Sequence, residues 1–542
     1  MLFEKKNAKD NAMLSVEASQ AFDRTEWQYL FHLLPRYGLG ETFLKWITLL
    51  YTNPTAQILT NSTISKPFSL QRSTRSPLRF ILAIEPLAIA VRTHQNISGI
   101  RIRGVDHHEA LYADDIIFFL TNLRDSIPNL ITLIENFGEF SGHRINKSKS
   151  VLLFLNEEER LNPKIDTPFA TTQDGFKYLG VMITPKLDDI VPTNYDPLVD
   201  KVKETLDRWS NLPISMIGRI NLIKMSVLPK FIYLFQAIPL PLPSNFHKKI
   251  DRVFSQFIWN NRKARLRLNL LYLPYERGGL QVPNLKCYYW ATQLSSAIYY
   301  FSASTPPTWV DIEQKSVSDL PMKQYLYSSD VKTLKKQTKN PFVKNTISVW
   351  YATHNYVDET ITVSQFTPIW GNGQFKPGKL DGGFKLWAEK GIGMVSDLYF
   401  EGIVLTFKQL CQRYQVPRKH FFKYLQVRSF IASKCKTIMP TPPLSVIEKT
   451  VLNNLDGKKH ISRFYNLFAK YSIESASDRL NAWRTDIQDE ISERDWGLAC
   501  LKAQKNSINT RFKLLQYKWL MRVYITPVKL HHFSPNTPDV CV

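Results

Sequence analysis

Between Leu111 and Leu120 the chain reads Leu-Tyr-Ala-Asp-Asp-Ile-Ile-Phe-Phe-Leu, two adjacent carboxylates held between apolar flanks. Flanks this apolar suit strands covered on both faces. Two charges inside such a run set local chemistry against burial, and conflicts of that kind collect at functional sites. A tight turn between the flanks presents the oxygens of Asp114 and Asp115 together; an Asp-Asp pair also serves simply as a turn between strands, so the pair alone leaves both roles open. In the functional case the chemistry is metal-assisted. Hard cations such as Mg²⁺ take oxygen ligands, and nucleotidyl transfer by two metals needs carboxylates from separate strands that converge.

The surrounding pattern supplies such strands. Leu14–Val16 is a short strand candidate leading to Glu17. Thr25 is placed to cap a helix carrying Trp27, Leu30, Phe31 and Leu34 at helical spacing. Phe43, Trp46, Ile47 and Leu50 mark a second helix, and Leu78–Val91 reads as a buried one. Gln57–Leu59 and Phe68–Leu70 form a small hairpin across a turn at Asn61–Ser62. Ser126 is expected to cap a helix with Ile127, Leu130, Ile131, Ile134 and Phe137 inward and Gly142 at its stop. From about residue 195 to 300 the pattern turns helical and basic: Asp200–Trp209, Ile214–Phe235 and Phe246–Trp259 read as helices, followed by a loop carrying Arg262, Lys263, Arg265 and Arg267. A Pro/Ser/Thr-rich join at Ser302–Pro307 separates a mostly helical remainder.

Length and charge bound the partners. A chain of 542 residues with 44% hydrophobic and 13% aromatic residues supports more than one core. Lys and Arg number 70 against 47 Asp and Glu, a net +23, which points to a polyanion, nucleic acid first, with an acidic membrane surface as the rival. No apolar run approaches the roughly 20 residues of a spanning helix. Cys287, Cys411, Cys435, Cys500 and Cys541 are scattered without a C-x-x-C pair, so neither a local zinc site nor a disulfide framework is expected. Charges near the start occupy the place of a signal peptide's apolar core, which implies an intracellular protein, nuclear or cytoplasmic.

Tyr112-Ala-Asp-Asp115 resembles the metal box of LINE-type (non-LTR) reverse transcriptases, and further segments resemble that family in order. Ser15-Val-Glu-Ala-Ser-Gln-Ala-Phe-Asp23 is similar to its first metal motif. Ser141-Gly-His-Arg-Ile-Asn-Lys-Ser-Lys149 is similar to the segment after the metal hairpin, and Lys177-Tyr-Leu-Gly-Val181 to the primer-holding hairpin. Ile217-Gly-Arg-Ile220, Leu228-Pro-Lys230, Phe257-Ile-Trp-Asn260 and Gly278-Gly-Leu280 resemble the thumb and connecting region, and Ile369-Trp-Gly-Asn372 a vertebrate LINE C-terminal segment. The resemblance implies an α+β fold: a polymerase palm with a small antiparallel sheet and packed helices over residues 1–185, a helical basic thumb-like region over 186–300, and a mostly helical C-terminal region over 301–542. It implies RNA-directed DNA synthesis on an RNA template and DNA primer, with Mg²⁺ or Mn²⁺ held by Glu17, Asp114 and Asp115. Phe22, Tyr112, Lys147 and Lys149 would meet the nucleotide, and Arg262, Lys263, Arg265 and Arg267 the nucleic acid. No membrane and no zinc are expected.

Four departures from the family pattern imply weak or absent synthesis. Glu17 stands where the family has Asp, adding about 1.5 Å of reach. Asp23, past the strand, reads as a helix-end carboxylate and not as a substitute. After Leu70 the chain reads Gln71-Arg-Ser-Thr-Arg-Ser-Pro-Leu-Arg79 where the family expects Arg-Gly-x-Arg-Gln-Gly-x-Pro-Leu-Ser-Pro, so a glycine-bearing loop under the incoming base pair is missing. Only 16 residues precede Glu17, where the family's fingers and endonuclease would lie. The stretch His531 to Cys541 resembles the approach to a zinc knuckle, with one Cys, too few for structural zinc. The alternatives are a non-catalytic basic RNA- or DNA-binding remnant and a translated element copy without a cellular role.

Overall fold

Ala12–Glu17 is a strand whose residues Ala12, Met13, Leu14 and Val16 are buried, while Glu17 at its end is exposed. It lies at the centre of a five-stranded sheet, in the order Ala170–Thr171, Val151–Phe154, Ala12–Glu17, Asp115–Leu120, Glu109–Tyr112. The four longer strands pair antiparallel, and Ala170–Thr171 joins Val151–Phe154 in parallel, so the sheet is mixed where an antiparallel one was expected. The computed structural model describes residues 11–542 except 20–22, 71–76, 103, 303–305, 318–319, 358–362, 436–440, 456–457, 473–476, 537, 539 and 541–542. Phe22 and the loop residues from Gln71 to Ser76 lie outside the described residues.

One face of the sheet packs Leu14, Val16, Ile116, Phe118 and Leu152 against the helices Pro77–Thr93 and Leu123–Ser141, through Phe80, Ile84, Leu87, Ile127, Leu130 and Ile134. Met13, Ile117 and Leu153, which alternate with these, are also buried, as expected for strands covered on both sides. Each such side chain contributes about 1.5–3 kcal/mol of burial free energy.

Several local expectations need correction. The helix Trp27–Leu33 has Glu26, not Thr25, at its N-cap. Asn122 precedes Leu123–Ser141, so Ser126 lies within the first turn; its hydroxyl donates to the Thr121 carbonyl at 2.6 Å and accepts from the Ser98 N–H at 3.1 Å, tying the helix to its neighbours. Gly142 does end that helix, with φ 77°. The helix Glu41–Tyr51 buries Ile47 and Tyr51 but leaves Phe43, Trp46 and Leu50 exposed, so periodicity found the helix and misassigned its inner face. Leu78, Ile81 and Ile89 are likewise exposed on Pro77–Thr93, and the guanidinium of Arg79 lies 5.3 Å from the ring centre of Tyr51. At Asn61–Ser62 the turn forms, with both residues at positive φ, but it joins Leu59–Thr60 to Thr63–Ile64, while Phe68–Ser69 pairs with Thr55–Ala56.

The chain divides into the compact units Met1–Asn194 and Tyr195–Val542. The second is largely helical. The expected helix Ile214–Phe235 is three consecutive pieces, Met216–Leu222, a π-helical turn Ile223–Val227, and Leu228–Ala237. Pro229 has no N–H to give the preceding turn, and the ladder loosens there. A separate core gathers Phe384, Trp387, Ile392, Leu398 and Leu410. No helix of the described residues is long and apolar enough to cross a membrane.

One buried pair in this unit gives a pH signature. Glu313 hydrogen-bonds with the hydroxyl of Tyr300, and burial pushes its carboxyl up to about 7. The folded unit therefore binds the proton more tightly than the unfolded chain. The contribution of this group to stability is full below the ordinary carboxylate pKa, about 4.3, and declines as pH rises from there through 7. Glu313→Gln should remove this contribution: between pH 5 and 8 the midpoint of calorimetric unfolding should fall by several degrees less in the variant than in the parent. Parallel curves would refute the assignment.

Candidate active site at a strand end

The hairpin Glu109–Tyr112/Asp115–Leu120 turns at Ala113–Asp114, and Ala113 has φ 53°. Mirror-image two-residue turns need positive φ at the first central position, which a non-glycine residue takes at a cost of about 1–2 kcal/mol. Such strain gathers at functional sites. The sheet register then aligns three residues from three strands: Glu17 opposite Asp115, and Asp115 opposite Tyr112. Residues directly opposite in an antiparallel pair project to one face. Glu17, Tyr112 and Asp115 are exposed at this end of an otherwise buried sheet.

The segment after the helix Leu123–Ser141 wraps the end of the central strand. Ser19 N–H donates to the Arg144 carbonyl at 2.8 Å and Asn146 N–H to the Glu17 carbonyl at 2.8 Å, while Glu17 N–H donates to Ser150 Oγ at 3.3 Å. This wrapping brings Lys149 Nζ to 3.2 Å from Glu17 Oε1. Lys147 pairs with Glu135 at 2.7 Å. Both lysines, expected at triphosphate or primer, thus have carboxylate partners within the protein. Asp23 lies past the strand, before the helix Trp27–Leu33.

The electrostatics tie the three carboxylates together. Asp115 is held above the ordinary carboxylate range by burial first, then by the negative charges of Asp114 and Glu17. A divalent cation relieves that repulsion, and all three groups offer hard oxygen donors, so the donor chemistry fits Mg²⁺ or Mn²⁺. As they stand the side chains do not close on one ion: among the described residues no three His, Cys, Asp or Glu side chains form a metal-holding group. Glu17, the longer carboxylate, is engaged with Lys149.

Tyr178 belongs to the segment likened to a primer-holding hairpin, and nothing in the sequence signals its relation to Asp115. It ends the strand Phe176–Tyr178, which pairs with Val181–Ile183 across a turn where Leu179 and Gly180 both have positive φ. Its hydroxyl is pushed up by burial and then by the negative charge of Asp115, so it lies within electrostatic reach of that carboxylate. Nothing local in Lys177-Tyr-Leu-Gly carries that information; it arises where the hairpin docks.

In the second unit, Arg262, Lys263, Arg265 and Arg267 are all exposed in the loop after the helix Phe246–Ile258. Arg265 donates to the Val523 carbonyl at 3.1 Å. That contact brings in Lys518, whose ammonium is pushed down by burial and then by Arg265 and Arg262. Three cations crowded in this way favour an anion. Lys518 lies too far along the sequence to be grouped with the loop by inspection.

Residues 2–183 match the family model for reverse transcriptase (RNA-dependent DNA polymerase). The chain is also similar to a frog (Xenopus laevis) protein described as Transposon TX1 uncharacterized 149 kDa protein, with 27% identity over 317 residues. The match covers 57% of this chain and 24% of that protein. The strand-end carboxylates lie inside the matched family region, and with the order of motifs around them they identify residues 2–183 as a reverse transcriptase domain in a chain distantly homologous to a transposon protein.

Proposed function

We propose that this chain comes from a LINE-type (non-LTR) element protein and that its family reaction is RNA-directed DNA synthesis, with this copy catalytically degenerate. In this reading residues 1–185 are the palm, 186–300 a thumb-like basic region and 301–542 a LINE C-terminal region. The observation that carries it is the register of Glu17 opposite Asp115 at the tip of the Tyr112–Asp115 hairpin. Glu17, Asp114 and Asp115 would hold Mg²⁺, which supplies charge for a primer 3′-hydroxyl turned nucleophile and for the departing pyrophosphate. Tyr112, exposed beside them, offers a flat face to a nucleotide. Phe22, Lys147 and Lys149 are assigned to the same nucleotide by family resemblance, and Lys149 must leave Glu17 to serve it.

Two features support degeneracy. Glu17 is one carbon–carbon bond longer than the family's Asp, and it lies against Lys149. The glycine-bearing loop expected after Leu70 is absent from the sequence. Primer extension on an RNA template with Mg²⁺ tests the reading: little product is expected from the chain as it stands, and robust synthesis would overturn it.

The cation cluster of Arg262, Arg265 and Lys518 favours a second capacity, charge-driven binding of RNA or DNA without synthesis. Each phosphate neutralised releases counterions. Changing Arg262, Lys263 and Arg265 together to Gln should reduce the slope of log affinity against log salt by about 2 for a single-stranded RNA oligonucleotide. Fluorescence anisotropy reads this slope, and an unchanged value would exclude the loop from the interface.

A further inference from the structure

The unit Tyr195–Val542 carries an open-sided cavity of about 560 Å³, within the size range of small-molecule sites. Its wall combines aromatic faces with a few polar groups. Asp251 Oδ1 accepts a 2.6 Å hydrogen bond from the Tyr272 hydroxyl, and its other carboxylate oxygen has no hydrogen-bond partner among the described residues. Asn284 Oδ1 accepts the N–H of Cys287 at 3.2 Å, which fixes the amide and leaves its NH₂ group as a donor on the cavity wall. Lys286 places its ammonium 4.6 Å from the ring centre of Trp290. His247 is neutral, because burial and then Lys286 push its imidazole down to about 4. Lys248 lines the same cavity and is exposed.

These groups ask for a particular ligand. Asp251 is half-buried, with Lys286 within electrostatic reach, and its open oxygen can accept N–H donors from a ligand. The fixed amide needs an acceptor nearby, and the aromatic wall needs a flat apolar face. An exposed lysine at the site suits an anion tethered to that face. We propose that this cavity binds a nucleotide whose base carries an exocyclic amine, the amine donating to Asp251, an adjacent ring or carbonyl acceptor meeting Asn284, and the phosphate meeting Lys248. Adenine, guanine and cytosine offer that donor edge; uracil has no amine. The inference stands on the cavity alone and does not depend on the strand-end carboxylates.

Isothermal titration calorimetry of the full chain with AMP, GMP, CMP and UMP, in a chelator so that divalent-dependent binding at the carboxylates is silent, tests the site. At least one amine-bearing nucleotide should bind at least tenfold tighter than UMP. Asp251→Asn retains an acceptor for Tyr272 and should cost that nucleotide at least tenfold, with the melting curve unchanged. Should that variant fail to fold, Lys248→Gln decides: it should weaken the nucleotide severalfold and leave the matching nucleoside unaffected. Absence of binding by every amine-bearing nucleotide, equal binding of UMP, or full affinity in Asp251→Asn or Lys248→Gln would each overturn the proposal.

Discussion

Glu17→Asp should raise RNA-templated primer extension about a hundredfold. The extra methylene of Glu displaces its carboxylate by about 1.5 Å relative to Asp from the same backbone position, and that position is fixed: Glu17 is paired with Asp115 on one side of its strand and held through Asn146 and Ser150 on the other. A misplacement of roughly 1 Å costs about a hundredfold in rate, near 2.7 kcal/mol of barrier. Shortening the side chain also withdraws it from Lys149, an exposed pair worth at most about 1 kcal/mol. In the proposed reading the missing loop keeps absolute rates low in both proteins, so the informative quantity is the ratio, read under single-turnover conditions with and without the loop restored. A ratio near one in the loop-restored background would mean that the strand-end geometry does not limit synthesis.

Phe118→Ala should destabilise the N-terminal unit by about 3–5 kcal/mol. Phe118 is 1% exposed and packs in the cluster between the sheet and the helices Pro77–Thr93 and Leu123–Ser141. Its strand also carries Asp115, so the cavity left by truncation opens beneath the hairpin that sets the carboxylate register. Urea denaturation followed by tryptophan fluorescence measures the loss, Trp27 and Trp46 being the reporters of this unit. A change below about 1 kcal/mol would mean that the strand is not packed as described.

The hairpin was legible because its signal is local: apolar strands interrupted by Tyr-Ala-Asp-Asp admit few other structures. Glu17 was legible as a motif residue, and its register opposite Asp115 follows once the strand Ala12–Glu17 is centred in the sheet. What the letters did not carry was set by tertiary contact. The Lys149–Glu17 pair, and the electrostatic reach of Asp115 to Tyr178 and of Arg265 to Lys518, all join residues far apart in sequence. The exposed Phe43 and Trp46 make the same point for the fold, since helical spacing defines an apolar face but not whether a neighbour covers it. Ser126 misled because Ser is a good cap by type, while Thr121 and Ser98 offered its hydroxyl better partners one turn inside the helix.

The central claim is that carboxylates from two strands share one divalent cation. Replacing Mg²⁺ by Fe²⁺ and adding ascorbate and peroxide cuts the backbone beside the bound ion, and mass spectrometry locates the cuts. Two clusters are predicted, one around Glu17 and one around Asp114–Asp115, both suppressed by excess Mg²⁺ and both lost in Asp115→Asn. Cuts at only one of the two stretches, or at neither, would contradict a shared site.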